Sequence, residues 1–214
     1  MRNKRIARLT LDAFIIALIA VMTFIPNIGY VSVSLIQFTT LHIIVLLMAI
    51  LFGIREGAIA GFAFGFFCLI KAVVMPTSAS DVFFINPLVS ILPRLILGLL
   101  AGGAFDLIRL IKKRWLRISL TFVAMPILTI IHSVATLSML WICYNSDPML
   151  ASYNYWLLIS GIVSFNGLIE TVMALVLVPL LGFGIYSGIK NMTFLPLKRG
   201  ILTYEKKDRV QKSN

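Results

Sequence analysis

Six ionisable side chains fall inside long apolar runs of this chain: Asp12, His42, Lys71, Arg94, His132 and Glu170. Ionisable groups in such runs mark substrate paths, proton relays or internal pairs, because an arginine at a bilayer centre costs about 2.5 to 3.5 kcal/mol on insertion scales. Arg94 stands in the run Phe83–Gly103, FFINPLVSILPRLILGLLAGG, after Asn86-Pro87 and beside Pro93. Two prolines there predict an irregular helix start, which leaves backbone groups free near the guanidinium. The chemistry expected of Arg94 is capture of an anion in a polar or water-filled cavity, since a guanidinium matches a carboxylate or phosphate with two parallel donors. Pairing with Glu170 or Asp81 inside the protein is the alternative.

His132 and Glu170 lie near the middle of their runs, and Asn166 precedes Glu170 by four residues, on the same helical face. This polar line either opens onto a cavity or forms a hydrogen-bonded pair that holds helices together. Asp12 and His42 lie close to run ends and are expected to reach water. Lys71 lies a turn from the end of its run and is expected to snorkel outward, from where it can assist Arg94. Tyr30, Gln37, Tyr153, Asn154, Tyr155 and Trp156 bring aromatic and amide groups to the same depth. The interfacial aromatic belt accounts for any one of them, but Tyr153 and Trp156 count among the candidate contacts. The candidate binding set is therefore Arg94, Asn86, Asn166, Glu170, His132, Lys71, Tyr153 and Trp156.

Nothing points to catalysis. The two histidines are ninety positions apart with no carboxylate motif, so no zinc site is implied. Cys68 and Cys143 sit in apolar runs without ligand spacing, so no metal site or disulfide framework is implied. Ser160 near His132 is a conceivable nucleophile that no motif supports. There is no GxxxxGK[ST] sequence, so ATP, if it drives anything here, is bound by another chain. The reading is of a non-enzyme with no cofactor or metal of its own.

The elements that must position these residues follow from composition. The chain has 214 residues, is 60% hydrophobic, carries 13% charged residues and has a mean hydropathy of +1.00. These values belong to an integral membrane protein. The net charge of +11 is not a nucleic-acid signature, because the basic residues cluster at the ends of apolar runs. The expected fold is an all-α membrane protein with six transmembrane helices over about 11–26, 41–54, 57–75, 87–111, 117–144 and 155–189. They form one domain, 1–190, followed by a basic tail, 191–214. The second run is short for a span, and the last is long and contains Pro179. The uncharged, β-branched stretch 28–40 is expected to fold back into the mouth of the cavity. The basic N-terminus precedes a run without a small-residue cleavage pattern, which reads as a retained first span.

Orientation follows from lysine and arginine. Four lie at the N-terminus, one in the second turn, five between the fourth and fifth runs and seven from Lys190 onward, so 17 of 19 fall on one side. By the positive-inside rule that side is cytoplasmic, and both termini lie inside a cell membrane. Gly53, Gly57, Gly61 and Gly65 recur every fourth residue and predict a smooth face for close helix packing, with Gly53 in doubt beside Arg55-Glu56. Ala13, Ala17 and Ala20 form a similar face on the first run, suited to internal packing or to another subunit.

Six spans with both ends inside, a basic N-terminus followed by Ala13-Phe-Ile-Ile-Ala17, apolar outer segments and the run Asn86-Pro-Leu-Val-Ser-Ile-Leu-Pro-Arg94 together resemble the substrate-binding S component of an energy-coupling factor (ECF) vitamin transporter. The resemblance covers about residues 5–190. It implies a small subunit that captures a vitamin from outside and docks on a transmembrane T component and two ATPases, which use the ATP. It also implies that Ala13 and Ala17, with Ala20 on the same face, meet the T component, and that the ligand lies under the first and third outer loops among helices four to six. Asn86 and Arg94 match that site. Asn166, Glu170 and His132 join it by depth and face. The pattern looks most like the pantothenate-type branch, and a carboxylate suits Arg94. Hydroxymethylpyrimidine, pyridoxine, folate and riboflavin remain alternatives within the family, a stand-alone permease or channel outside it, and an intramembrane enzyme as a third class.

Overall fold

The computed structural model describes residues 2–25, 28–33, 36–77, 79–147, 155–156 and 167–189. Within them the chain is almost entirely helical: α1 (Arg2–Phe24), a hairpin of β1 (Tyr30–Val33) and β2 (Ile36–Thr39), α2 (Leu41–Phe52), α3 (Ile54–Val74), a 3-10 segment (Ala79–Ile85), α4 (Pro87–Ser90), α5 (Leu92–Arg109), α6 (Arg114–Tyr144) and α7 (Leu168–Ile189). Five helices among the described residues are long and apolar enough to cross a membrane. Large apolar side chains such as Leu9, Phe14, Val74, Leu107, Ile142 and Leu180 stay exposed along them, which is the surface a lipid environment accepts.

α2 departs from the expected second span. All twelve of its residues are buried, and at 1.5 Å per residue it is only about 18 Å long, short of a bilayer core. A helix that is apolar all round belongs in an interior; α2 runs through the middle of the bundle, against α3, α5 and α7. The hairpin makes up the remaining height. The β-branched stretch forms antiparallel pairs from Tyr30↔Thr39 to Val33↔Ile36, and Thr40 closes its base by donating from its amide to Gly29 (2.9 Å) and from its hydroxyl to Ile28 (2.6 Å).

Gly53 adopts a positive φ of 102° between α2 and α3, a conformation that glycine takes without strain. The freed backbone groups are met from α5: Asp106 accepts from the Ile54 amide at 3.3 Å, and Arg109, ion-paired with Asp106, donates to the carbonyls of Ala49 and Ile50. Gly57, Gly61 and Gly65 press on α5. A Cβ at Gly57 would lie 2.7 Å from the Gly98 oxygen, one at Gly65 2.6 Å from the Ile91 Cα, and one at Gly61 would collide with the Arg94 carbonyl. The glycine face thus serves internal packing, and Gly53 is its break, not its fourth member.

The expected fourth span is split. Asn86 caps α4, accepting from the Leu88 amide at 3.0 Å, with Pro87 as the first helical residue, and the helix restarts at Leu92. The expected first span begins earlier, at Arg2, and ends at Phe24, two residues short of Pro26. The residue before a proline is sterically driven out of the α region. α6 starts three residues before its expected boundary and, at 31 residues, exceeds a bilayer core. The described part of the expected sixth span is α7.

Candidate functional site

All six intramembrane ionisable residues are buried. Two expectations are corrected at the basic end and in the core. Asp12 is mostly covered, and it accepts from the half-exposed Arg55 at 2.7 Å. His42 is wholly enclosed, its Nε2 3.4 Å from the Glu170 carbonyl. His42 lies on α2, every residue of which is buried.

Lys71 does not snorkel outward. Its ammonium donates to the Thr77 hydroxyl (2.8 Å) and to Asp81 (3.2 Å), and it stands 4.5 Å over the Tyr30 ring. Asp81 also accepts from the Thr77 amide at 2.6 Å. One buried charge pair therefore ties the end of α3 to the 3-10 segment and, through Tyr30, to the hairpin. The chain turns back at Pro76 and brings a carboxylate within reach, so the lysine has no need of water.

Arg94 is 3% exposed. Pro93 has no N–H, which leaves the Val89 carbonyl without its helical donor; Arg94 supplies one, 2.6 Å away. The guanidinium lies between two aromatic faces, 5.4 Å from Phe64 and 4.9 Å from Phe84. Its Nε is buried with no hydrogen-bond partner. Asp81, one of the internal partners considered, is taken by Lys71, and Glu170 is engaged elsewhere: its Oε1 accepts from the Thr39 amide at 3.0 Å. No carboxylate meets Arg94 among the described residues.

His132 does not pair with Glu170 among the described residues. Its ring lies 6.0 Å from Phe64, and its Nδ1 is buried and unpartnered. Thr39 Oγ1, His42 Nδ1, Thr171 Oγ1 and the Tyr30 hydroxyl are likewise buried and unpartnered. Burial first, with Cys68 beside it, raises the Tyr30 hydroxyl well above the ordinary phenol range, so it remains a donor at neutral pH. Buried polar atoms are ordinarily hydrogen-bonded, and these orphaned groups, with the Arg94 Nε, hold hydrogen-bonding capacity that a polar ligand would meet.

Of the other candidates, Asn86 spends its oxygen on the α4 cap, and Trp156 is 73% exposed, its indole against Tyr155. Tyr155 shares a 3.0 Å hydrogen bond with Ser138. Asn166 and Tyr153 lie outside the described residues. Sequence reasoning assigned Tyr30 only to the aromatic belt and passed over Thr39, Phe64 and Phe84, which no local pattern singles out. Ala13 and Ala17 are exposed and Ala20 is half-buried, while Ile15 and Ile19 turn into the core. Among the described residues no group of three His, Cys, Asp or Glu could hold a metal.

The family model described as ECF transporter, substrate-specific component, matches residues 7–182. Over 200 residues the chain is 28% identical to the pantothenate transporter PanT of Leuconostoc mesenteroides, a similarity that spans 85% of this chain and 93% of that protein.

Proposed function

The chain belongs to the substrate-specific components of ECF transporters, and from that premise we propose that it is a pantothenate-binding subunit of a vitamin importer. The observation that carries the reading is the buried guanidinium of Arg94, held between Phe64 and Phe84 with its Nε unpartnered and no carboxylate beside it. A desolvated cation in that state gains most from an anion that arrives from outside. Pantothenate carries one carboxylate with hydroxyl and amide groups along its length, which suits a buried guanidinium together with the unpartnered polar atoms of His132, Tyr30 and Thr39. Similarity to a pantothenate transporter supports the same assignment.

In this reading the hairpin and the 79–85 segment cover the ligand on the outer side, and the basic end faces the cytoplasm. The exposed Ala13/Ala17 face docks on a T component, and two ATPases supply the energy, since the chain has no phosphate-binding loop of its own. Lys71 shapes the cover and leaves the ligand's charge to Arg94.

The test is binding by calorimetry of pantothenate and of its alcohol analogue, in which CH2OH replaces the carboxylate. The purified chain is expected to prefer pantothenate by about 30-fold or more, the equivalent of roughly 2 kcal/mol. Arg94→Ala is expected to remove that preference. If Arg94→Ala leaves the preference intact, the carboxylate is bound elsewhere. Preferential binding of pyridoxine or riboflavin would assign another vitamin, and uptake by the isolated chain in liposomes without ATP would replace the subunit reading with a permease.

A further inference from the structure

At the basic end, far from the vitamin site, α6 and α7 enclose a cleft of about 240 Å³. Arg114, Ile118, Thr121, Phe122 and Met125 line it from α6, and Pro179 and Phe183 from α7. The α6 residues repeat at helical spacing, so they form one stripe, and Pro179 and Phe183 are one turn apart on the facing helix. The Thr121 hydroxyl bonds back to the Arg117 carbonyl at 2.9 Å, which leaves its methyl as the wall. The cleft is therefore apolar along its length with an arginine at its end.

The surroundings of that end are strongly basic. Lys112, Lys113 and Arg114 are exposed, Arg117 is one turn further on, and the first turn of α6 holds no acidic residue. The Arg117 Nε is buried without a hydrogen-bond partner. Trp115 is 67% exposed at the same level, where an indole sits at the headgroup depth of a bilayer. Positive charge that only orients a helix needs no cleft beside it and no donor withdrawn from water. Basic pockets between transmembrane helices on the cytoplasmic side bind anionic lipid headgroups.

We propose that this cleft binds an anionic phospholipid from the leaflet at the basic end, its phosphate on Arg114 and Arg117 and one acyl chain along Ile118, Phe122, Met125 and Phe183. The chain explains why the lining turns apolar immediately beyond the arginines, and the phosphate explains the charge at the mouth. The site lies between α6 and α7, whereas α1, with its alanine face, packs mainly on α3. Lipid binding is thus separable from subunit docking as well as from vitamin capture.

The experiment is native mass spectrometry of the full chain released from nanodiscs of equal phosphatidylglycerol and phosphatidylcholine, with pantothenate binding and thermal unfolding as folding controls. The retained lipid is expected to be phosphatidylglycerol, enriched roughly fivefold for each contributing arginine. Arg114→Gln with Arg117→Gln should abolish the enrichment, and Arg114→Lys with Arg117→Lys should keep most of it. Ile118→Trp, which fills the cleft and leaves the charge, should lower retention of either lipid. Equal retention of the two lipids, enrichment that survives the glutamine pair, or displacement of the bound lipid by millimolar glycerol phosphate would each overturn the proposal.

Discussion

The pair Lys71–Asp81 offers a demanding test of how the end of the bundle opposite the basic clusters is held together. Both side chains are 7% exposed and 3.2 Å apart, and removing one partner of a buried pair costs about 3 to 5 kcal/mol because the other is left charged in an apolar setting. The structure makes the two halves unequal. Asp81→Leu strands the ammonium with only the Thr77 hydroxyl and the Tyr30 ring, so a loss of about 3 kcal/mol is expected. Lys71→Met leaves Asp81 its hydrogen bonds from the Thr77 amide and hydroxyl, so about 2 kcal/mol is expected. The double variant exchanges two charges for two apolar groups and should fall within roughly 1 kcal/mol of the parent. The resulting coupling is about 4 to 5 kcal/mol, measured as a double-mutant cycle from equilibrium unfolding in mixed micelles. The same variants should accelerate release of bound pantothenate, because the pair joins α3 to the hairpin and to the 79–85 segment. A coupling below about 1 kcal/mol, the range of solvated surface pairs, would refute the reasoning: the pair would then be open to water and could not fasten a cover.

Ala13→Trp with Ala17→Trp is expected to prevent co-purification with co-expressed T and ATPase subunits while pantothenate affinity stays within about twofold, since both side chains point away from the core. Retained co-purification would place the docking face elsewhere. Gly61→Ala drives a methyl into the Arg94 carbonyl and should cost about 1 to 3 kcal/mol of stability, as overpacking does, together with a measurable loss of pantothenate affinity. An unchanged affinity would show that the register of α3 on α5 does not position Arg94.

The class of the molecule was legible in its residues because hydropathy is a local sum: runs of apolar side chains with basic ends read as spans wherever they fold. The glycines of α3 were legible for the same reason, as a helical face that admits only a closely approaching backbone, and Pro93 announced a missing donor beside Arg94. Which group each charge would meet was not legible. Lys71 finds Asp81 ten residues on because the chain reverses at Pro76, and Glu170 finds the Thr39 amide from across the bundle. The shortness of the second run was legible, but by composition alone α2 is one more apolar segment, and only packing made it the central helix, sheathed on every side. Tertiary structure alone could decide that Arg94 keeps a buried donor without a partner, because an orphaned hydrogen bond is a relation among distant residues, and no single position records it.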